Sequence, residues 1–224
     1  MEHDFWHEAW SKSDQPGWQQ KDINPYLEKH WSSSGALSGE AVFVPLCGRS
    51  RDMQWLRDYG HHIIGIDISV SALEEFCKQQ SIDAVCERDG DLTVFRAPGW
   101  TLYAGDFFKL KAENLTRVSR VYDRASLIAL PSEMRKSYAA QLRSILPGGT
   151  EIFAITITYD QSQMKGPPFS VPESELRDHY EDYYEIDLIE SASGPEQLGN
   201  LKQRGLTAVT ESCFLLRPKV ASET

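Results

Sequence analysis

The chain has 224 residues, of which 41% are hydrophobic, 25% charged and 11% aromatic, enough for one well-filled core or at most two small domains, and one domain is expected. Its 23 Lys+Arg against 33 Asp+Glu leave a formal net charge of -10, the opposite of the basic footprint needed to bind a phosphate backbone, so no nucleic acid partner is expected. No apolar run approaches the ~20 residues that cross a bilayer, and Met1-Glu2-His3-Asp4-Phe5-Trp6 has neither the basic nor the apolar region of a signal peptide. A cytoplasmic protein with no membrane partner is therefore expected.

Trp6, Trp10, Trp18 and Trp31 fall within the first thirty-odd residues, among polar neighbours. Phe5, Trp6, Ala9 and Trp10 share one helical face, and Ser13-Asp14-Gln15-Pro16-Gly17 breaks that helix. A second helix is expected over Pro25 to Trp31. Two readings fit this aromatic segment: it packs permanently on the core, or it closes as a lid over a ligand.

From Ala41 onward strands and helices alternate. Ala41 to Leu46 reads as a buried strand, Arg51 to Tyr59 as a helix with Met53, Leu56 and Tyr59 on one face, and Ile63 to Ile66 as a second strand ending at Asp67. Ser69 to Gln80 is a helix with Leu73, Phe76 and Cys77 inward. Thr93 to Ala97 and Trp100 to Ala104, joined by Pro98-Gly99, form a hairpin. Arg120 to Asp123 is a brief strand, Ser132 to Leu146 a helix with Ser132 as its cap, and Glu151 to Thr158 a central β-branched strand. Glu185 to Ile189 and Val209 to Leu216 are strand-like with no long helical repeat between them, which favours an antiparallel pair at one sheet edge. The alternation as a whole predicts an α/β architecture, a largely parallel sheet covered by helices.

In such sheets ligands sit beyond the carboxyl ends of the strands. The turn Pro45-Leu46-Cys47-Gly48-Arg49-Ser50 lies there, but Gly48 stands alone and the dinucleotide pattern G-x-G-x-x-G is missing. Asp67 is placed to accept hydrogen bonds from both hydroxyls of a ribose, or to cap the helix that follows. Gly105-Asp106-Phe107-Phe108 offers an acceptor and a flat wall for an adenine ring, or a surface acid followed by core aromatics. Asp123-Arg124-Ala125-Ser126 is either a local ion pair or a charged cleft edge. Gly166-Pro167-Pro168-Phe169 is a stiff aromatic loop that suits a pocket wall or the surface. His61-His62 sits at the opposite, amino-terminal end of its strand and is read as non-functional. Ser126 lacks a base and no G-x-S-x-G elbow exists, which disfavours a hydrolase. Cys47, Cys77, Cys86 and Cys213 form no C-x-x-C pair and have no His at ligand spacing, so no disulfide framework and no metal are expected.

The ordered set Pro45-Leu46-Cys47-Gly48, Gly60-His61, Ile64-Gly65-Ile66-Asp67, Asp123-Arg124 and Gly166-Pro167-Pro168-Phe169-x-Val171-Pro172 resembles the thiopurine S-methyltransferase family, in its short bacterial branch. The likeness runs over nearly the whole chain, including the Phe-Trp-x-x-x-Trp start. It implies a class I S-adenosylmethionine-dependent methyltransferase fold: a seven-stranded, mostly parallel sheet whose last strand is antiparallel. The chain would be one domain over 1–224, with residues 1–35 as an N-terminal helical lid and 41–224 as a Rossmann-like core. Carried over by position, Trp10, Leu46, Gly48, Asp67, Asp106, Phe107 and Arg124 contact S-adenosyl-L-methionine, while Trp18, Pro167, Pro168 and Phe169 line the acceptor site. Asp67 stands where vertebrate members carry Glu, and Arg204-Gly205 where they carry Trp-Gly.

The implied reaction is direct methyl transfer to the sulfur of a thiopurine or related aromatic or heterocyclic thiol, with selenium and tellurium compounds as further acceptors and detoxification as the setting. Such a thiol ionises near neutral pH, so no residue is assigned as nucleophile or general base, and Arg124 has an electrostatic role. Alternatives are a halide or small-thiol methyltransferase of the same fold, a nucleotide-cofactor oxidoreductase and a non-catalytic binding module. The partner expected is a small-molecule thiol, and the chain is expected to be a monomer.

Overall fold

The computed structural model describes residue 20 and residues 22–219. The expected first helix, with Trp6 and Trp10, and also Trp18, lies outside the described residues. By the density of its internal packing the chain divides into two units, residues 1–120 and 121–224.

The first unit opens with helix α1 (Pro25–His30), where Pro25 takes the first helical position and the Asn24 side chain accepts from the amides of Tyr26 and Leu27. Strand β1 (Ala41–Val44) is buried at every position, as a strand covered on both faces must be. Helix α2 (Arg51–Asp58) starts at Ser50, whose side chain accepts from the Asp52 amide, and buries Met53 and Leu56 completely. Strand β2 (His62–Asp67) then leads into α3 (Val70–Gln79), capped by Ser69 and burying Leu73, Phe76 and Cys77 as its 3.6-residue period requires. Each large apolar side chain so buried contributes roughly 1.5–3 kcal/mol. Strands β3 (Val85–Asp89), β4 (Leu92–Ala97) and β5 (Trp100–Ala104) complete a sheet ordered β3-β4-β5-β2-β1. Its β1–β2 and β2–β5 ladders are parallel and its β3–β4 and β4–β5 ladders antiparallel. The hairpin around Pro98-Gly99 is present as expected. Strand β3 was not foreseen, because Val-Cys-Glu-Arg-Asp is exposed at all five positions and carries no apolar alternation.

Strand β6 (Val118–Arg124) carries the chain from the first unit into the second. After it come α4 (Ser126–Ala129), α5 (Ser132–Ile145), β7 (Glu151–Thr158), α6 (Glu173–Tyr180), β8 (Tyr184–Ser193), the short α7 (Pro195–Leu198) and β9 (Thr210–Pro218). The strands here are ordered β6-β7-β9-β8, and β9 runs antiparallel to both its neighbours. The expected antiparallel last strand is thus present, paired with an edge strand that bulges between Leu188 and Glu190. Ser132 is not a cap. The capping position of α5 falls on Pro131, and Ser132 is already helical, since a proline before the first turn fixes the extended entry without a side-chain acceptor. The strands number nine among the described residues, two more than the expected seven, and β3 with β4 accounts for the surplus at one edge.

Candidate functional site

In the first unit the carboxyl ends of β1, β2 and β5 converge on one carboxylate. Asp67 Oδ2 accepts from the Gly48 amide at 2.8 Å, and Oδ1 accepts from the Ser69 amide at 3.0 Å. Its backbone carbonyl accepts from the Gly105 amide, and the Cys47 amide donates to the Ile66 carbonyl, both at 2.9 Å. Asp67 therefore ties three strand-end loops together at 7% exposure, and its two oxygens are aimed before any ligand arrives. Of the two readings of Asp67, the helix cap falls instead on Ser69, whose hydroxyl accepts from the Ala72 amide at 3.1 Å, while Asp67 fixes the backbone just before α3.

The β1 turn is tight because its backbone crosses to the left-handed side twice. Leu46 has φ +45 and Gly48 φ +49; glycine does this without penalty, whereas Leu46 accepts about 1–3 kcal/mol of strain. Strain of this kind persists where neighbouring bonds over-determine the backbone, and here Cys47 and Gly48 are both pinned to the end of β2. The Cys47 side chain turns inward: a Cβ built on Gly65 of β2 would stand 2.9 Å from its sulfur. Burial, followed by the Asp67 charge, pushes the Cys47 thiol well above its ordinary range, which keeps it protonated and unreactive.

Asp106, two residues past the end of β5, is half-exposed, and its carboxylate accepts from the Phe108 amide at 3.0 Å. Phe107 is buried against the unit at 7% exposure, while Phe108 is 38% exposed and meets it edge to face. Of the expected pair it is thus Phe108, not Phe107, that offers more ring surface to solvent.

In the second unit Asp123 and Arg124 part company. Asp123 is buried, accepts from the Tyr138 hydroxyl at 2.8 Å and is raised to about 6 by burial against the lowering pull of its hydrogen bonds to Tyr138, Ser126 and Leu127. Arg124 is half-buried at the strand end. Ala125 follows with φ +73, a second strained residue directly after a central strand.

Beyond β7 the Pro-Pro loop is held on every side. Both Gly166–Pro167 and Pro167–Pro168 are cis, and Gly166 has φ +79. The Phe169 ring lies over Gly166 so closely that an added Cβ would meet it at 2.5 Å. Tyr159 donates its hydroxyl to the Pro168 carbonyl at 2.6 Å, Arg204 donates to the Pro167 carbonyl at 2.7 Å, and the Phe169 amide donates to Ile128 at 2.6 Å. Arg135, buried and paired with Glu175 at 2.6 Å, donates to the Ser170 carbonyl at 3.1 Å. Sequence reasoning assigned no contact to Tyr138, Tyr159, Arg135 or Arg204, whose partners lie 9 to 40 positions away, beyond the reach of any spacing rule. His61, read as non-functional, is completely buried: its Nε2 accepts from the Trp31 indole at 2.8 Å, its Nδ1 sits 3.3 Å from the Glu40 carbonyl, and burial lowers its pKa. Its place is structural.

With this geometry in hand, comparison with known proteins is decisive. The sequence model for "Thiopurine S-methyltransferase (TPMT)" matches residues 1–219. The chain belongs to the thiopurine S-methyltransferase family. It is 43% identical over 220 residues to a thiopurine S-methyltransferase of Marinobacter nauticus, covering 98% of this chain and 100% of that one. A Pseudomonas fluorescens thiopurine S-methyltransferase is 38% identical over 217 residues, covering 97% and 99%. Among solved structures, a SAM-dependent methyltransferase from Anabaena variabilis superposes with a TM-score of 0.67 at 14% identity, covering 97% of this chain and 95% of that one. The N-methyltransferase NodS of Bradyrhizobium japonicum, in complex with S-adenosyl-L-homocysteine, gives 0.64 at 12% identity, covering 97% and 99%. At such identities these two establish the fold alone, the class I α/β methyltransferase fold. Family and fold together make the chain an S-adenosylmethionine-dependent S-methyltransferase. The cofactor's chemistry fits the residues present, because the Asp67 carboxyl is held by two amides at a strand end, and the β1 turn beside it lacks the glycine pattern that a dinucleotide pyrophosphate requires. No helix among the described residues is long and apolar enough to cross a membrane.

Proposed function

We propose that the methyl acceptor is the sulfur of a thiopurine or a related aromatic or heterocyclic thiol, taken directly by the thiolate. The observation that carries this reading is the rigid, aromatic-faced loop Gly166 to Phe169 beyond β7, in a chain whose relatives are named thiopurine S-methyltransferases. S-adenosyl-L-methionine, when bound, supplies a methyl group on an electrophilic sulfonium. In this reading Asp67 accepts from the ribose hydroxyls, Leu46 and Gly48 shape the turn beside it, and Asp106 and Phe107 flank the adenine, with Trp10 as a further contact. Arg124 adds positive potential that favours an ionised acceptor.

On the acceptor side Pro167, Pro168 and Phe169 orient a flat ring, with Trp18 as the second aromatic, and residues 1–35 act as the lid of a single domain. The thiolate sulfur bonds to the methyl carbon as the carbon–sulfonium bond breaks, so no protein base is required. Tyr159 stays protonated, since burial raises its pKa and its hydroxyl donates to Pro168. The Asp160 carboxylate is engaged with Ser162. Orientation and exclusion of water are what the protein supplies. The protein acts as a cytoplasmic monomer on a small molecule, without nucleic acid or membrane. Incubation with methyl-labelled S-adenosylmethionine and 6-mercaptopurine, thiophenol, selenite or tellurite tests the reading. An S-methylated thiol is expected, and labelling of the chalcogen oxyanions alone would overturn it.

A further inference from the structure

The second unit carries a cation that the transfer reaction itself does not use. Arg204 ends the turn Gly199–Arg204, is exposed, and donates through Nη1 to the Pro167 carbonyl at 2.7 Å. The two segments are joined more broadly. Thr207 donates through its amide and hydroxyl to Gln163 Oε1 at 3.0 and 3.1 Å, and Leu198, Leu206 and Val209 share a small apolar cluster with Ile157, Tyr159 and Met164. The guanidinium is thus held beside the Pro-Pro loop by a packed scaffold. A guanidinium has five N–H donors in a fixed fork, suited to a planar anion, and the Pro167 bond uses one of them.

Charge makes this position informative. The whole chain has a formal net charge of -10, so its field repels anions, yet Arg204 and the exposed Lys165 both lie at this loop. The nearest acid in the same stretch of sequence, Asp160, is bound to Ser162. A neutral residue could donate to one carbonyl; a permanently charged fork does so at the expense of side-chain entropy and leaves donors pointing to solvent.

We infer that Arg204 is a specificity-determining residue that binds an anionic group, a carboxylate or its equivalent, carried by the acceptor on its ring away from the reacting sulfur. The inference rests on the reading of the Pro167–Phe169 loop as the acceptor wall. It names the substrate class as aromatic thiols that bear a second, anionic substituent.

Two thiols of equal size test it: 4-mercaptobenzoate and its neutral analogue 4-mercaptobenzamide. With the wild-type protein KM for the acid is expected to lie below that for the amide by roughly tenfold, the usual scale of one hydrogen bond to a charged group. Arg204→Gln retains a donor for the Pro167 carbonyl but no charge, and is expected to abolish the preference by raising KM for the acid roughly tenfold more than KM for the amide. Arg204→Lys is expected to restore part of it. Equal losses for both thiols would mean that Arg204 only anchors the loop, and an unchanged ratio would mean that it touches no substrate; either result overturns the inference. Calorimetric binding of benzoate and benzamide to the protein saturated with S-adenosylhomocysteine keeps the two ideas apart. If neither thiol is methylated but benzoate binding still depends on Arg204, the thiol reading fails and the anion site stands. If benzoate binding is the same in Arg204→Gln, the inference fails whatever the activity.

Discussion

The turn around Asp67 and the loop around Pro167 both lie beyond strand ends, but they are fixed by opposite means. Asp67 holds its surroundings from within, one carboxylate bridging the amides of Gly48 and Ser69. The Pro167 loop is held from outside, by Tyr159, Arg135, Arg204 and the backbone of Ile128. A single side chain that orders several amides makes a site whose affinity and stability stand or fall together. A loop clamped by several distant side chains loses them one at a time.

The comparison is most severely tested at Arg135. It is buried, and removing it takes the donor from the Ser170 carbonyl and leaves Glu175 with the more distant His179 at 3.5 Å. Arg135→Met is expected to lower unfolding free energy by about 3 kcal/mol, read by urea denaturation, and to raise the KM for acceptor while S-adenosylhomocysteine affinity stays near wild type. A matching loss of cofactor affinity would erase the distinction between the two regions.

Asp67→Ala comes next, with an expected loss of about 2–3 kcal/mol because two buried amides lose a charged acceptor. Here stability and cofactor affinity are expected to fall together, which differential calorimetry with and without S-adenosylhomocysteine resolves.

How far each region could be read in advance follows from the same difference. Strands β1 and β2, the helices after them, and Asp67 itself were legible because buried periodicity and a strand-end acid are local signals. Its bridge from the Gly48 amide to the Ser69 amide was not, since the bond to Gly48 joins separate loops. The Pro-Pro loop was visible as stiff and aromatic. Its clamps were invisible, because nothing in the spacing of Arg204 or Arg135 points to a proline carbonyl or a serine carbonyl far along the chain. Strand β3 escaped notice for a third reason: an exposed edge strand has no face to alternate. Ser132 shows how a local rule misplaces a boundary when a proline stands one residue earlier.

Acid stability gives an intermediate effect with two opposed signs. His61 is kept neutral in the fold, with its pKa lowered by burial. Below its unfolded value near 6.5 the unfolded chain takes up a proton that the native chain refuses, so its contribution to stability is lost as pH falls through that region. Asp123 does the reverse. Its native pKa is raised from 3.8 to about 6, so the stability it contributes is full below 3.8 and is lost as pH rises through about 6. Asp123→Asn is expected to raise the melting temperature relative to wild type more at pH 8 than at pH 4, in paired thermal scans. A constant difference across that range would contradict the placement of Asp123 against Tyr138.

The smallest effect is expected at Cys47. Its sulfur is packed on Gly65 and stays protonated, so Cys47→Ser costs about 1 kcal/mol or less in packing and leaves methyl transfer intact. Transfer of a chiral methyl group should proceed with inversion; retention, with a methylated Cys47 found by mass spectrometry, would replace direct transfer with a two-step route.

Asp67 is the residue proposed to grip the cofactor. Isothermal titration of S-adenosylhomocysteine into the wild type, Asp67→Ala and Asp67→Glu, each checked for folding by circular dichroism, measures that grip. The expected result is tight wild-type binding, a weakening of roughly 10- to 100-fold in Asp67→Ala, and substantial recovery in Asp67→Glu, which keeps the charge on a longer arm. Unchanged affinity in a folded Asp67→Ala would contradict it and leave Asp67 as a loop anchor alone.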